Sequence, residues 1–276
     1  MNSTAIWIVR ESARPLAESL GRVLCAPVLP EPAAEASPIS NREQFQAAFA
    51  AARSWVLLMA CGIATRYLSG LPRDKHSDPA VVVLDEAGRF AIPLLGGHEG
   101  GANALAYRIA ACTGALPAIT TATEALKPLT VGIGMRRGMS AARIEAAVQA
   151  ALASSGAPLS AVREVATVDI KADEPGLQEW LAAHALPLRV FSSAQIAERP
   201  LTATPSDWVR TNTGLAGVCE PCALLASPRG TLLVPKRAHA GVTVAIVSDP
   251  PPLRLGAACS NPTSSLTSSP TSWPAS

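Results

Sequence analysis

The sequence predicts an α/β protein of two domains, each a mixed or mainly parallel sheet covered by helices, followed by a disordered C-terminal tail. Short apolar runs alternate with helix-like segments along the chain, which is the pattern of sheets covered by helices. The 276 residues, 49% of them hydrophobic, are enough for two modest cores. A second strand–turn–helix pattern begins near residue 129. We therefore place the domains at residues 1–127 and 128–249, and a Pro-, Ser- and Thr-rich tail at 250–276.

We expect the first domain to open on a strand and not on a signal peptide, because a charge at Arg10 interrupts the apolar N-terminal run and no basic region precedes it. The run WVLLMAC at 55–61 is the most apolar short segment and predicts a central strand. The predicted elements are a strand at 5–9, a helix at 13–24, a proline-rich surface connection at 25–40, a helix at 44–52, strands at 55–61, 80–84, 90–95 and 118–121, and helices at 63–71 and 102–112.

The second domain begins with the strand LTVGIG at 129–134, after which Ser140 is placed to cap an amphipathic helix at 141–154. The remaining predicted elements are strands at 162–169 and 188–191, a loop at 171–174, helices at 176–185 and 192–198, a turn and helix at 217–226, and strands at 232–234 and 242–247.

The most informative segment runs from Asp78 to Asn103, where the strand pair 80–95 leads directly into the glycine-rich turn GGHEGG at 96–101 and the helix that follows. Glycines on both sides of His98 and Glu99 leave the backbone unshielded there. A strand, a glycine turn and a helix together present amide donors to an anion or a carbonyl oxygen. The turn is therefore the best candidate site.

Composition disfavours several classes of protein. Only 16% of residues are charged, the formal net charge is +2, and no basic block indicates nucleic-acid binding. No apolar run reaches the roughly eighteen residues of a transmembrane helix, so we expect no membrane partner and a cytoplasmic location. The six cysteines are then expected to be reduced. Cys219 and Cys222 have redox or zinc spacing, but no second ligand pair follows, and two partly buried small residues are the favoured interpretation.

Several motifs together resemble one known family. They are GIATRYLSGLPRDKHSDPAVVVLDEAGRFAIPLLGGHEGGANALA, AITTAT, GIGMRRGMS, ATVDIKADE and GVCEPCALL, in that order. The chain is similar in these motifs to the CbiG family of cobalt-precorrin-5A hydrolases in cobalamin biosynthesis, and its second half separately resembles the small CobE-like domain. In one respect it departs from that family, because residues 124–130 alone join the TTAT and GIG motifs where the family usually carries a middle region.

The resemblance implies a reaction on a cobalt corrinoid. A δ-lactone is opened and the former meso carbon leaves with its methyl group as acetaldehyde, which requires an activated water and stabilisation of an oxyanion. The substrate is a carboxylate-rich tetrapyrrole, so cations and amide donors are needed around it. Cobalt belongs to the substrate, and no cofactor or metal site of the protein is expected. The resemblance leaves room for a homodimer and for contacts with neighbouring pathway enzymes.

The resemblance also assigns candidate residues. His98 is the first choice for general acid or base, because imidazole titrates near working pH, and a structural bond from His98 to a carbonyl is the alternative. Glu99 and Glu174 are alternatives for that role. Glu99 and Lys75 complete the catalytic candidates, and the cations Arg89 and Lys236 are placed near strand ends. The substrate-binding candidates are Arg66, Asp78, Gly97, Gly100, Gly101, Asn103, Thr120, Thr121, Arg136, Arg137, Lys171, Glu174 and Glu220. We expect loops from both domains to clasp the substrate between them.

Several of these candidates have equally physical structural interpretations. Asp78 precedes a proline and could begin a turn, and the threonines could cap a helix. Lys171 and Glu174 could form an ion pair that stabilises a loop, and Glu220 could complement a helix dipole. Two other functions stay open: a corrinoid-binding or transfer protein without catalysis, and a nucleotide-binding regulatory module. The last is disfavoured because neither a Walker pattern nor a dinucleotide fingerprint is present.

Overall fold

A computed structural model describes residues 4–32, 38–198 and 217–251. Within them the chain forms two separate sheets, one of six strands in the first half and one of five in the second, and helices cover both. The predicted fold class of two α/β units is confirmed. No helix among these residues is long and apolar enough to cross a membrane. The predicted disordered tail falls almost entirely on residues 252–276, outside the described part.

The first sheet has the strand order β2-β1-β3-β4-β5-β6. Strands β1 to β4 are parallel to one another, whereas β5 pairs antiparallel with β4 and β6 pairs parallel with β5. Apolar side chains alternate between its two faces, so that the sheet has one core on each side. The strands are β1 (Thr4–Ile8), β2 (Val28–Leu29), β3 (Ser54–Leu58), β4 (Ala80–Leu84), β5 (Phe90–Leu95) and β6 (Leu116–Pro117). The helices are α1 (Arg14–Leu24), α2 (Asn41–Ala48), α3 (Cys61–Leu68), α4 (Ala102–Thr113) and α5 (Ala122–Ala125).

The hairpin between β4 and β5 decides where the glycine turn lies. Asp85 accepts hydrogen bonds from the amides of Arg89 and Phe90, both 2.7 Å long, and Gly88 adopts a positive φ that favours glycine. The chain therefore reverses, and the end of β5 pairs with the beginning of β4, Leu95 against Val81. The turn that follows β5 consequently lies at the amino ends of the parallel strands.

The second sheet has the order β10-β11-β7-β8-β9. Strands β7, β8 and β9 are parallel, β11 is antiparallel to β7, and β10 is antiparallel to β11. Gly132 on β7 is required by close packing, because a Cβ there would be 1.8 Å from the carbonyl oxygen of Cys219 at the start of α10. The strands are β7 (Leu129–Met135), β8 (Val162–Val168), β9 (Leu188–Phe191), β10 (Thr231–His239) and β11 (Val242–Ser248). The helices are α6 (Ala141–Ser155), α7 (Asp169–Ala172), α8 (Pro175–His184), α9 (Ser193–Glu198) and α10 (Cys219–Ala226).

The two sheets meet where α4 packs beside β9. Tyr107, in the middle of α4, is buried beside Glu164 of β8 and Arg189 of β9. Burial, together with the Glu164 charge, raises the pKa of the Tyr107 hydroxyl. At the end of α4, Gly114 lies beside Gln195 of α9, which follows the carboxyl end of β9. Helix α4 therefore runs in the same direction as β8 and β9.

Most predicted elements are found within a few residues of their expected bounds, and two predictions in the first half are wrong. The strand predicted at 118–121 is displaced to Leu116–Pro117, and Thr121 instead begins α5. The predicted surface connection 25–40 contains β2, which adds an edge strand to the sheet; residues 33–37 of that connection lie outside the described part. In the second half, the predicted loop 171–174 includes the end of α7. Ser140 does precede α6, but its side chain makes no capping bond.

Candidate functional site

A cavity of about 790 Å³ lies at the amino ends of β1, β3 and β4, where the glycine turn also lies. Its volume is in the range of ligand sites in proteins. Its walls are formed by the first residues of these three strands, by residues 49–54, by the segment before β4 and by the beginning of α4. The polar and charged side chains among its lining residues are Thr4, Gln46, Arg53, Ser54, Arg73, His76, Ser77, Asp78, Glu99 and Arg108.

Backbone hydrogen bonds close the glycine turn on itself. The amides of Ala102 and Asn103 donate to the carbonyl oxygens of Gly96 and Gly97, at 3.0 and 2.9 Å. Gly100 makes the tightest approach, because a Cβ there would lie 2.8 Å from the oxygen of Gly96. The turn is therefore compact, and it presents the backbone of Gly100 and Gly101 to the cavity.

Glu99 lies between two basic side chains that precede β4. Its Oε1 is 3.0 Å from Nζ of Lys75, and its Oε2 is 3.1 Å from Nδ1 of His76. The hydrogen bond and charge of Lys75 hold the pKa of Glu99 below its ordinary value. Both carboxylate oxygens are thus engaged, and the segment before β4 is tied to the glycine turn. The structure brings together the two predicted catalytic residues Lys75 and Glu99 and adds His76 to them.

His98, the third predicted catalytic residue, lies beside a different glutamate, which belongs to a separate hydrogen-bond network. Its Nδ1 is 3.4 Å from Oε1 of Glu124 in α5. Thr121 and Thr123 both donate hydroxyl hydrogen bonds to Oε2 of that carboxylate. Partial burial raises the pKa of Glu124, but the two threonine bonds outweigh it, and the pKa lies below the ordinary value. Asn103 extends the network, since its Nδ2 donates to Thr121 Oγ1 at 2.9 Å.

The GGHEGGAN and TTAT motifs are therefore in direct contact. Gly97 is needed where they meet, since a Cβ at Gly97 would be 2.6 Å from a methyl carbon of Thr121. Asn103 is 8% exposed, and its Oδ1 is fully buried without a hydrogen-bond partner in the described structure. This buried acceptor lies beside Gly97. Thr120 immediately precedes this network, while its neighbour Thr121 is the residue that takes part.

Three other predicted residues of the first domain have local structural contacts. Asp78 lines the cavity, but its Oδ2 accepts from the amides of Arg73 and Asp74 at 2.8 and 3.0 Å, as a turn-forming aspartate does. Arg66 donates to the carbonyl oxygen of Gly62 within α3. Arg89 pairs with Asp85 in the β4–β5 hairpin, at the opposite end of β5 from the glycine turn.

The predicted residues of the second domain gather at the carboxyl ends of β7 and β8. Glu174 accepts from the amide of Gly138 at 2.9 Å and pairs with Lys171 at 3.2 Å, and these bonds lower its pKa. Arg136 and Arg137 belong to the same loop as Gly138. Glu220, in the first turn of α10, is 1% exposed and accepts from the amide of Lys236 at 2.9 Å. The Lys171–Glu174 pair is the ion pair named in the structural interpretation of that loop, whereas the bond between Glu220 and the Lys236 amide is a contact that neither interpretation of Glu220 included.

The structure does not place the glycine-turn residues of the first domain next to the predicted residues of the second domain. The glycine turn precedes α4, and α4 runs in the same direction as β8 and β9. The turn is therefore on the side of the amino ends of those strands, whereas the loop of Arg136 and the segment of Lys171 and Glu174 follow their carboxyl ends. The expectation of a substrate clasped between loops of both domains is not met by this arrangement.

Cys219 and Cys222 are both buried. Burial raises the pKa of Cys219 to about 11 and raises that of Cys222 as well, so both stay as thiols at neutral pH. Among the residues that the structure describes, no group of three or more His, Cys, Asp or Glu side chains is arranged to hold a metal ion.

The sequence analysis did not predict five side chains of the site: His76, Glu124, Arg53, Arg73 and Arg108. His76 and Arg73 lie just before β4, in a segment where the candidates were Lys75 and Asp78, and Arg53 lies just before β3. Glu124 follows the candidate threonines along the chain. Arg108 lies two turns into α4, and the helical period that places it beside the turn residues is the signal that could have identified it.

The fold and the site define an α/β protein with two sheets, in which a glycine turn and basic side chains surround a cavity beside the first sheet. Residues 43–124 match the family described as "Cobalamin synthesis G N-terminal", and residues 129–247 match "Cobalamin synthesis G C-terminus". The chain belongs to the CbiG family. The resemblance found in the sequence is thereby confirmed.

Three relatives illustrate the relationship. A protein from Priestia megaterium named cobalt-precorrin-5A hydrolase is 24% identical over 300 aligned positions, which cover 73% of this chain and 80% of the relative. Protein CobE from Sinorhizobium sp is 31% identical over 133 residues, covering 48% of this chain and 86% of the relative. A crystal structure of CobE, a protein from the cobalamin biosynthetic pathway, is 30% identical, with a TM-score of 0.42, and covers 44% of this chain and 89% of that chain.

Proposed function

We propose that this chain is a cobalt-precorrin-5A hydrolase of cobalamin biosynthesis, which opens the δ-lactone of its corrinoid substrate and releases acetaldehyde to give cobalt-precorrin-5B. The observation that supports this most is that the two halves of the chain match the N-terminal and C-terminal models of the CbiG family in the same order. In addition, the Priestia megaterium relative, which aligns over most of its length, bears the name of that enzyme. No resident cofactor belongs to this proposal, because cobalt arrives with the substrate.

We propose that the chemistry takes place at the glycine turn. Hydrolysis of the lactone needs a base that takes a proton from water, and donors that stabilise the oxyanion formed at the acyl carbon. The turn region offers the imidazoles of His76 and His98, each paired with a glutamate. The backbone of Gly100 and Gly101 lines the cavity beside them, where unpaired amides can serve as donors.

The cavity also suits the charge of the substrate. Arg53, Arg73 and Arg108 line it, and guanidinium groups bind carboxylates through paired hydrogen bonds. A corrinoid with many acetate and propionate groups presents such carboxylates around its rim. We therefore propose that one edge of the macrocycle enters the cavity and that the arginines hold its carboxylates. In this proposal the loops at the opposite end of the second domain do not contact the same edge.

A second function, corrinoid binding or transfer without catalysis, has one specific observation in its favour. The alignment with the Priestia megaterium protein runs over 300 positions but uses only 73% of this 276-residue chain, so that relative has residues with no counterpart here. The two family matches leave only residues 125–128 between them. A shortened middle could retain binding and lose turnover.

One experiment separates the two functions. Purified protein is mixed with cobalt-precorrin-5A, acetaldehyde is measured with a coupled dehydrogenase, and the corrinoid product is followed by mass spectrometry. A hydrolase releases one acetaldehyde per corrinoid converted, over many turnovers. A complex that survives gel filtration without acetaldehyde would indicate the transfer protein, and neither binding nor product would reject both functions.

A further inference from the structure

We infer that His76 is the general base of the proposed hydrolysis, that Glu99 and Lys75 position it, and that His98 instead fixes the shape of the glycine turn. This inference rests on the proposed function and adds to it the identity of the reacting side chain. It was not predictable from the sequence, in which His98 lies inside the conspicuous motif and His76 lies in a plain loop.

The first argument is the arrangement of Lys75, Glu99 and His76. Glu99 accepts from Lys75 Nζ with one oxygen, at 3.0 Å, and faces His76 Nδ1 with the other, at 3.1 Å. A carboxylate that is held by Lys75 at one oxygen can accept the Nδ1 proton of the neighbouring imidazole at the other, and Nε2 would then be the proton acceptor. This is the base-and-orienter arrangement that activates water or hydroxyl nucleophiles in other folds.

The second argument is position relative to the cavity. His76 and Glu99 both line the 790 Å³ cavity, together with Gly100, Gly101 and the arginines, whereas His98 is not among its lining residues. The His76 side chain is 64% exposed, so Nε2 can be reached by water and substrate. A base at His76 would therefore act beside the same wall that presents the backbone amides.

The third argument is the different set of contacts around His98. Its partner Glu124 is held by hydroxyl groups of Thr121 and Thr123, and Thr121 in turn accepts from the buried Asn103. This chain connects the glycine turn to the start of α4 and to α5. Its members tie three pieces of backbone together, which is a structural task, and none of them is among the residues that line the cavity.

The step is balanced with water as the only co-reactant. His76 Nε2 takes a proton from water as the oxygen attacks the lactone carbonyl carbon, and the acyl carbon–oxygen bond then breaks. The imidazolium returns that proton to the departing alkoxide, which leaves a carboxylic acid and an alcohol. His76 Nε2, neutral again, then takes the hydroxyl proton of the alcohol as the carbon–carbon bond breaks. The electron pair of that bond passes into the conjugated macrocycle, acetaldehyde leaves, and the imidazolium releases its proton to solvent.

The test compares two matched variants, His76→Gln and His98→Gln, in the acetaldehyde assay. Both side chains are exposed and both are paired with a glutamate, so both variants should fold. We expect kcat to fall about 100-fold or more in His76→Gln with KM within about threefold, and less than about tenfold in His98→Gln. Glu99→Gln should also reduce kcat and leave KM nearly unchanged, because it misorients the base without removing a substrate contact.

Chemical rescue supplies a readout that a structural role would not produce. Free imidazole should restore acetaldehyde release by at least about tenfold in His76→Gly and should have no effect on His98→Gly. If the unsubstituted protein releases acetaldehyde but His76→Gln retains its kcat, or if rescue is confined to His98→Gly, the inference is wrong and the proposed function stands. If the unsubstituted protein releases no acetaldehyde, the proposed function itself fails.

Discussion

The charged residues buried between the two sheets should contribute much more to stability than the charged pairs on the surface. Glu164 is 2% exposed and faces Arg163 at 3.1 Å and Arg189 at 3.8 Å, and Thr130 lies 3.4 Å away. Arg189 is 6% exposed, and burial lowers its pKa while the Glu164 charge partly offsets that effect. Glu164→Gln removes the carboxylate charge and leaves Arg189 buried without it.

The size of the effect follows from these contacts. Removing one partner of a buried ion pair costs about 3–5 kcal/mol, because the remaining charge is left uncompensated. Arg163 retains its bond to Asp249, so we expect the lower end, about 3 kcal/mol. For a chain of this size that free energy corresponds to a fall in Tm of about 6–12 °C.

The assay is thermal unfolding followed by calorimetry and far-UV circular dichroism. Glu11→Gln is the matched control, since it removes the same charge from a carboxylate that pairs with Arg14 but is 72% exposed. Such surface pairs contribute about 1 kcal/mol or less, so the control should lose no more than about 3 °C. Equal losses in the two variants, or a loss below about 2 °C in Glu164→Gln, would refute the reasoning.

Two further predictions concern the turn and the acid limit of stability. Gly100→Ala should reduce Tm and abolish acetaldehyde release, because its Cβ would lie 2.8 Å from the backbone oxygen of Gly96. Gly62→Ala is the control and should do neither, because the nearest atom to its Cβ would be 3.9 Å away. Burial raises the pKa of Asp249, but hydrogen bonds from Ser227 and Arg163 outweigh it and the net pKa is lowered. The stability contributed by Asp249 is thus complete above its unfolded pKa and is lost as pH falls through the folded pKa. The free-energy difference between wild type and Asp249→Asn, measured in urea, should shrink from pH 7 to about pH 3, and a constant difference would contradict this.

The fold was predictable because its strands are short, apolar and separated by strong turn signals. The β4–β5 hairpin illustrates this, since Asp85 and Gly88 have the residue types that its turn requires. The strand predicted at 118–121 was wrong because threonines favour both strands and helix starts, and Thr121 takes the second role through its contacts with Asn103 and Glu124.

The site was only partly predictable, for a different physical reason. The glycine turn is recognisable locally, because positive φ angles and close backbone approach select glycine. The partners of its side chains are 23 to 26 residues away in either direction, at His76 and Glu124, and no local pattern specifies which charged residue a tertiary contact will select. Pairings of this kind depend on the strand order of the sheet, which the sequence leaves open.

The antiparallel strand β5 explains why the site lies where it does. In open parallel sheets the usual ligand position is at the carboxyl ends of the strands. Here the β4–β5 hairpin returns the chain to the amino ends of β1, β3 and β4 before the glycine turn is formed. Helix α4 then begins at that edge, and its amino end, the loop before β4 and the starts of three strands enclose the cavity. The second domain keeps the ordinary arrangement, with Arg136 and Glu174 after strand carboxyl ends, and for that reason the two sets of polar loops lie at opposite ends of the molecule.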